Sequence, residues 1–115
     1  MAETLYHITE SEQWNALING EYRPKQFLDD GFIHCCYKHQ LIKVANRFFK
    51  EQNNLIILAI DSHKISSKIV IENLEGGTEL FPHIYGKLPK NAVLNVSELS
   101  IKLDGTFSLP RELLK

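Results

Sequence analysis

The sequence predicts an α+β domain built on antiparallel or mixed sheets. Three observations carry this: a strand pattern opens the chain, two helices follow before residue 50, and the second half is rich in short strands without regular strand–helix alternation. A length of 115 residues fits a single domain over 1–115, because a second core would leave both halves too small.

Thr4 to Ile8 reads as a short strand, and Thr9 with Glu12 three residues on forms a capping-box signature for a helix whose Trp14, Leu17 and Ile18 share one face. Asn19-Gly20 ends that helix, since Gly accepts the left-handed conformation of a C-terminal cap. Glu21 to Asp30, with Pro24 and the pair Asp29-Asp30, reads as a loop. Phe32 to Cys35 is the next strand. From Lys38 to Lys50, Leu41, Val44, Ala45 and Phe48 recur at spacings of three and four, as an amphipathic helix requires. Leu55 to Ile60 is a continuous apolar run suited to a buried central strand. Ile69 to Glu72 predicts a further strand, Glu75-Gly76-Gly77 a turn, and Glu79 to Tyr85 an extended segment interrupted by Pro82. Ala92 to Leu99 and Ser100 to Leu103 read as strands or as one bent strand, and Asp104-Gly105 turns into Thr106 to Leu109.

Hydrophobic residues at 43% and charged residues at 23% give enough apolar surface for an ordinary core without staples. The net charge is -1 and Lys and Arg are scattered, which argues against DNA as a partner. No run approaches the roughly 20 apolar residues of a membrane span, and Met1 to Glu10 lacks the pattern of a secretory signal, so the expected setting is cytoplasmic. Cys35 and Cys36 are adjacent, a poor geometry for a disulfide, and are expected as free thiols.

The chemistry concentrates at His7, His34 and His83. His7, in Tyr6-His7-Ile8-Thr9, and His34, in Gly31-Phe32-Ile33-His34-Cys35-Cys36, each end a strand before a helix, where free N–H groups can receive an anion. Imidazole donates, accepts or transfers a proton near neutral pH. The plainer reading has each histidine bonded to loop backbone. Phe81-Pro82-His83-Ile84-Tyr85-Gly86 is dense in rings and closed by a Gly, and can stack on a planar base or serve as a core corner. His34, Cys35, Cys36 and His39 match no common zinc spacing, so no metal is expected. A cysteine nucleophile beside His34 competes with buried, inert thiols. The two His-centred segments only weakly echo two-histidine phosphoesterases. No P-loop or Rossmann glycine pattern is present.

These segments, with Ala45-Asn46-Arg47-Phe48-Phe49, resemble in the same order those of a family of small, mostly bacterial proteins of unknown function, in which Ser is usual where Cys36 stands. The resemblance covers nearly the whole chain. It implies the fold of the ADP-ribosyltransferase superfamily, two small antiparallel or mixed sheets around a cleft that holds NAD, with two helices in the N-terminal half. By that resemblance His7 and Thr9 bind the ligand at a ribose, His34 contacts the diphosphate or nicotinamide end, and His83 with Tyr85 lines the opposite wall. His34 and His83 are then the catalytic pair. Arg47 can reach a phosphate, and Glu79 is the nearest carboxylate to the superfamily's third position, though not in register with it. A likeness to tRNA 2′-phosphotransferases leaves an RNA substrate open. The expectation is a small-molecule nucleotide ligand, with NAD as substrate or ligand of a transferase or glycohydrolase; the alternative is a module that binds without turnover.

Overall fold

The computed structural model describes residues 4–17, 20–22, 24–73 and 77–113. In chain order the elements are strand β1 (Thr4–Glu10), helix α1 (Ser11–Asn15), strand β2 (Glu21–Tyr22), helix α2 (Lys25–Asp30), strand β3 (Ile33–His34) and helix α3 (Leu41–Phe48). Strands β4 (Leu55–Asp61), β5 (Lys68–Glu72), β6 (Phe81–Tyr85), β7 (Leu88–Pro89) and β8 (Val93–Leu99) follow. They form three antiparallel sheets, ordered β1-β4-β8, β2-β7 and β3-β6-β5. The α+β expectation holds, with a two-stranded third sheet in addition to the two expected. Among the described residues there are three α-helices, all before residue 50, one more than expected.

Strand β4 is central, as its unbroken apolar run requires. Leu55 to Ile60 are buried on both faces. Ile56, Leu58 and Ile60 pack with Leu5, Tyr22, Ile33, Ile84 and Leu88, which joins the large sheet to the two smaller ones. Leu55, Ile57 and Ala59 pack with Tyr6, Ile8, Leu41, Ala45 and Phe107, which fixes α3 on the opposite face. Each Leu or Ile buried in this way contributes about 2 kcal/mol relative to exposure, so the strand that serves both clusters anchors the fold.

Several local expectations are corrected. Strand β1 runs on to Glu10, because the ladder with β4 continues through Thr9↔Ile56 and Glu10↔Leu55. Thr9 is therefore a buried strand residue and not a helix cap; α1 has Glu10 at its N-cap, with no side-chain cap bond. Helix α1 stops at Asn15, and the expected contribution of Ile18 and Asn19 lies outside the described residues. The segment read as a loop holds β2 and α2. Pro24 precedes the first turn of α2, where a missing N–H costs little, and Gly31 caps its end in the left-handed region at φ 81°. The turn expected at Glu75-Gly76-Gly77 is described only at Gly77. Between 100 and 109 only an Ile101↔Phe107 bridge forms, around a turn in which Asp104 accepts the Thr106 N–H at 3.0 Å.

Pro82 lies inside β6, the middle strand of its sheet, although proline usually interrupts a central strand. Its carbonyl accepts the Cys35 N–H at 3.0 Å, which directs its donor-less nitrogen to the same side, beyond the end of the two-residue β3. No ladder bond to β5 is lost. Gly86, where the chain bends after β6, also meets a steric demand. A Cβ there would overlap the Ser67 hydroxyl and lie 2.5 Å from the Ser67 Cβ, so a glycine is required by close approach.

Candidate functional site

A cavity of about 450 Å³ lies between β1, α3 and the β3–β6 pair. His7 and Thr9 come to it from β1, His34 from β3 and His83 from β6. Phe32, Phe48, Phe49 and Phe81 give it aromatic walls, and Gln13, Gln52 and Glu10 add polar groups. His7 and His34 are both lining residues of this cavity, and β-pairing explains His83: it stands directly opposite His34 in the β3–β6 ladder.

The three histidines occupy different environments. His7 is 6% exposed and its Nδ1–H donates to the His34 carbonyl oxygen at 2.5 Å. Burial pushes its pKa down to about 4 against the opposing effect of that bond, so the ring is neutral and Nε2 is an acceptor. The Tyr22 hydroxyl, 2.8 Å away, then gives its one proton to Nε2. Its oxygen, 2.7 Å from Thr9 Oγ1, takes the Thr9 proton in turn. With both nitrogens engaged, His7 locks β1 to β3 and β2, and its polar atoms are turned to protein partners.

His34 is the accessible histidine, with its side chain 45% exposed and Nε2 2.9 Å from Asp30 Oδ2 at the end of α2. His83 is fully buried. Its Nδ1–H donates to Glu72 Oε2 at 2.8 Å, and Tyr85 also donates to that carboxylate. These two bonds, Tyr85 first, hold the Glu72 carboxyl below its usual range, so it is ionised at neutral pH. The His83 ring stacks on Phe32 at 4.2 Å and meets His34 edge-on at 5.2 Å. Nε2 of His83 has no hydrogen-bond partner among the described residues. An unpaired buried polar atom of this kind costs about 1–3 kcal/mol.

Arg47, Glu79 and Tyr85 are not among the lining residues. Arg47 is exposed on α3, its guanidinium 5.0 Å from the Phe48 ring centroid. Glu79 pairs with Lys43 at 2.6 Å and accepts from Gln40 at 3.1 Å, which ties α3 and the turn before it to the segment leading into β6. Tyr85 shares Glu72 with His83, and so points with it as period-two alternation requires, but does not line the cavity. Cys35 and Cys36 line the cavity as free, buried thiols. Burial raises both, Cys36 to about 12, so neither supplies a thiolate at neutral pH. No group of three His, Cys, Asp or Glu among the described residues is arranged to hold a metal ion.

Glu72, Tyr22 and Phe32 carry the site's geometry and were not singled out from the sequence. Glu72 shares a face with His83 only once Val70 is known to pair with it, and a segment of eight residues separates the two strands. Alternation along Lys68–Glu72 was the one available signal.

The fold and cavity define a small α+β domain of antiparallel sheets with a histidine-bearing aromatic cleft. The chain belongs to the family described as protein of unknown function DUF952, whose model matches residues 8–96. It is similar to protein CC0527 from Caulobacter crescentus. The X-ray crystal structure of CC0527 is 29% identical, with a TM-score of 0.84 over 96% of this chain and 97% of that one. The solution NMR structure gives 30% identity and a TM-score of 0.76 over 90% of each. Among curated proteins none matches significantly.

Proposed function

We propose that the cavity binds a nucleotide-type ligand, NAD or an ADP-ribose compound, in a cleft of ADP-ribosyltransferase type. The observation that carries this reading is His83, a lining residue of the aromatic-walled cavity opposite the accessible His34, held through Nδ1 by a carboxylate and with Nε2 unpartnered among the described residues. Ligand pockets run from roughly 300 to 1,000 Å³. At about 450 Å³ this one takes a ring with its ribose rather than a whole dinucleotide. No Lys or Arg is among its described lining residues, so the diphosphate extends out of the cavity past the half-exposed His34. Stacking on the phenylalanines supplies contact area, and Nε2 of His83 takes a hydroxyl or N–H of the ligand. No helix among the described residues is long and apolar enough to cross a membrane.

A second reading, binding without turnover, is favoured by one observation. The only carboxylate among the described lining residues is Glu10, at the exposed end of β1, while Glu72 bonds His83 behind them. Thermal unfolding with NAD, ADP-ribose, nicotinamide and adenosine tests the proposal, because a ligand specific for the native state raises stability by mass action. NAD or ADP-ribose is expected to raise the midpoint, and His83→Gln to remove the rise. A flat response to all four compounds defeats the reading. Release of nicotinamide from NAD separates enzyme from binder.

A further inference from the structure

The His83 ring is gripped on one side only. Glu72, from the neighbouring strand β5, accepts the Nδ1–H at 2.8 Å, and Tyr85 from β6 donates to the same oxygen. Lys68 on β5 adds a favourable charge toward Glu72, and His34 on β3 faces the imidazole edge-on at 5.2 Å. Phe32 stacks on one face of the ring, centroids 4.2 Å apart. The opposite nitrogen, Nε2, has no partner among the described residues, although the side chain is fully buried and lines the cavity.

We propose that Glu72 is a positioning residue that sets His83 as the Nδ1–H tautomer, so that Nε2 presents a lone pair to a hydroxyl of the cavity ligand. A carboxylate cannot donate, so the proton between the two groups belongs to Nδ1 and the neutral ring has its acceptor at Nε2. The same arrangement prepares a general base. When a bound hydroxyl or a water gives up its proton, the O–H bond breaks, an Nε2–H bond forms, and the electron pair stays on the oxygen. The imidazolium so formed is stabilised by Glu72, and it returns the proton to solvent or to a departing group. The ligand class deepens the nucleotide reading and rests on it: the enclosed end of the molecule carries a hydroxyl. The tautomer does not depend on that reading.

Nitrogen-15 NMR of the histidine rings, on the full chain at pH 8 without ligand, tests the positioning role. The expected result is an unprotonated Nε2 and a protonated Nδ1 at His83 in the wild type. Glu72→Leu, which removes the acceptor, should move the proton to Nε2 in a major fraction of molecules, while Tyr85→Phe should leave the tautomer unchanged. A purely structural Glu72 would not alter which nitrogen carries the proton. Finding Nε2–H in the wild type, or the same tautomer in Glu72→Leu, overturns the proposal; the wild-type spectrum decides alone if Glu72→Leu does not fold. NAD and ADP-ribose added to the same samples address the nucleotide reading separately. A displaced Nε2 signal supports a ligand donor there, and an unmoved signal with the expected tautomer defeats the nucleotide while the role of Glu72 stands.

Discussion

Tyr22 stands at the middle of the polar chain behind the cavity, giving a proton to His7 and taking one from Thr9 in a fully buried setting. Tyr22→Phe leaves His7 Nε2 without a donor and Thr9 without an acceptor at almost unchanged volume. It is expected to lower unfolding free energy by about 2 kcal/mol, the cost of orphaning buried polar groups. Urea denaturation at pH 7 measures it. His7 supplies the pH dependence. Its folded pKa of about 4 lies below the ordinary 6.5, so between these values the unfolded chain takes up a proton that the folded chain refuses. Stability is therefore lost as pH falls from 6.5 to 4 and levels off below, a change of about 3 kcal/mol from this group. His7→Gln should unfold more easily at pH 7 but lose about that much less between pH 7 and pH 4; equal losses in both proteins would show that His7 is not the titrating group.

At the level of elements, the sheet that carries His34, His83 and Glu72 depends on one close approach, between Ser67 just before β5 and Gly86 just after β6. Gly86→Ala is expected to destabilise by about 1–3 kcal/mol, because the added methyl meets Ser67 Cβ as well as its rotatable hydroxyl. Ser67→Gly in the same chain should recover most of that loss, and non-additivity in the double-mutant cycle is the measurement. The sequence made the elements with a strong period legible: α3 through its apolar spacings, and β4 through its unbroken apolar run. It hid β2 and β7, each two residues long, since two residues show no alternation, whereas β3 falls inside the strand read at Phe32 to Cys35. It hid α2 because Pro24 and the acidic pair carry loop signals, though Pro24 also suits a helix start. Thr9 and Glu12 satisfied a capping pattern that pairing with Ile56 on β4 overrode.

For the molecule as a whole, the site was legible in its histidines and not in what holds them. Residue type marked His7, His34 and His83, and all three reach one cavity. The partners of His7 and His83, Tyr22 and Glu72, come from strands whose register is set by long-range packing. That packing also predicts how the chain unfolds. Strand β4 places Leu58 in one apolar cluster and Ile57 in the other, so neither cluster can lose its contacts without exposing the strand shared by both. Trp14, the only tryptophan, packs against the first cluster, whereas Leu41 on α3 belongs to the second. Leu41→Ala removes buried methyl groups remote from the tryptophan and is expected to cost about 2–5 kcal/mol. In one cooperative domain that loss must lower the midpoint seen by Trp14 fluorescence as far as the midpoint seen by far-ultraviolet circular dichroism. A variant whose dichroism shifts while Trp14 fluorescence keeps the wild-type midpoint would divide the chain into two units, with the cavity lying across their boundary.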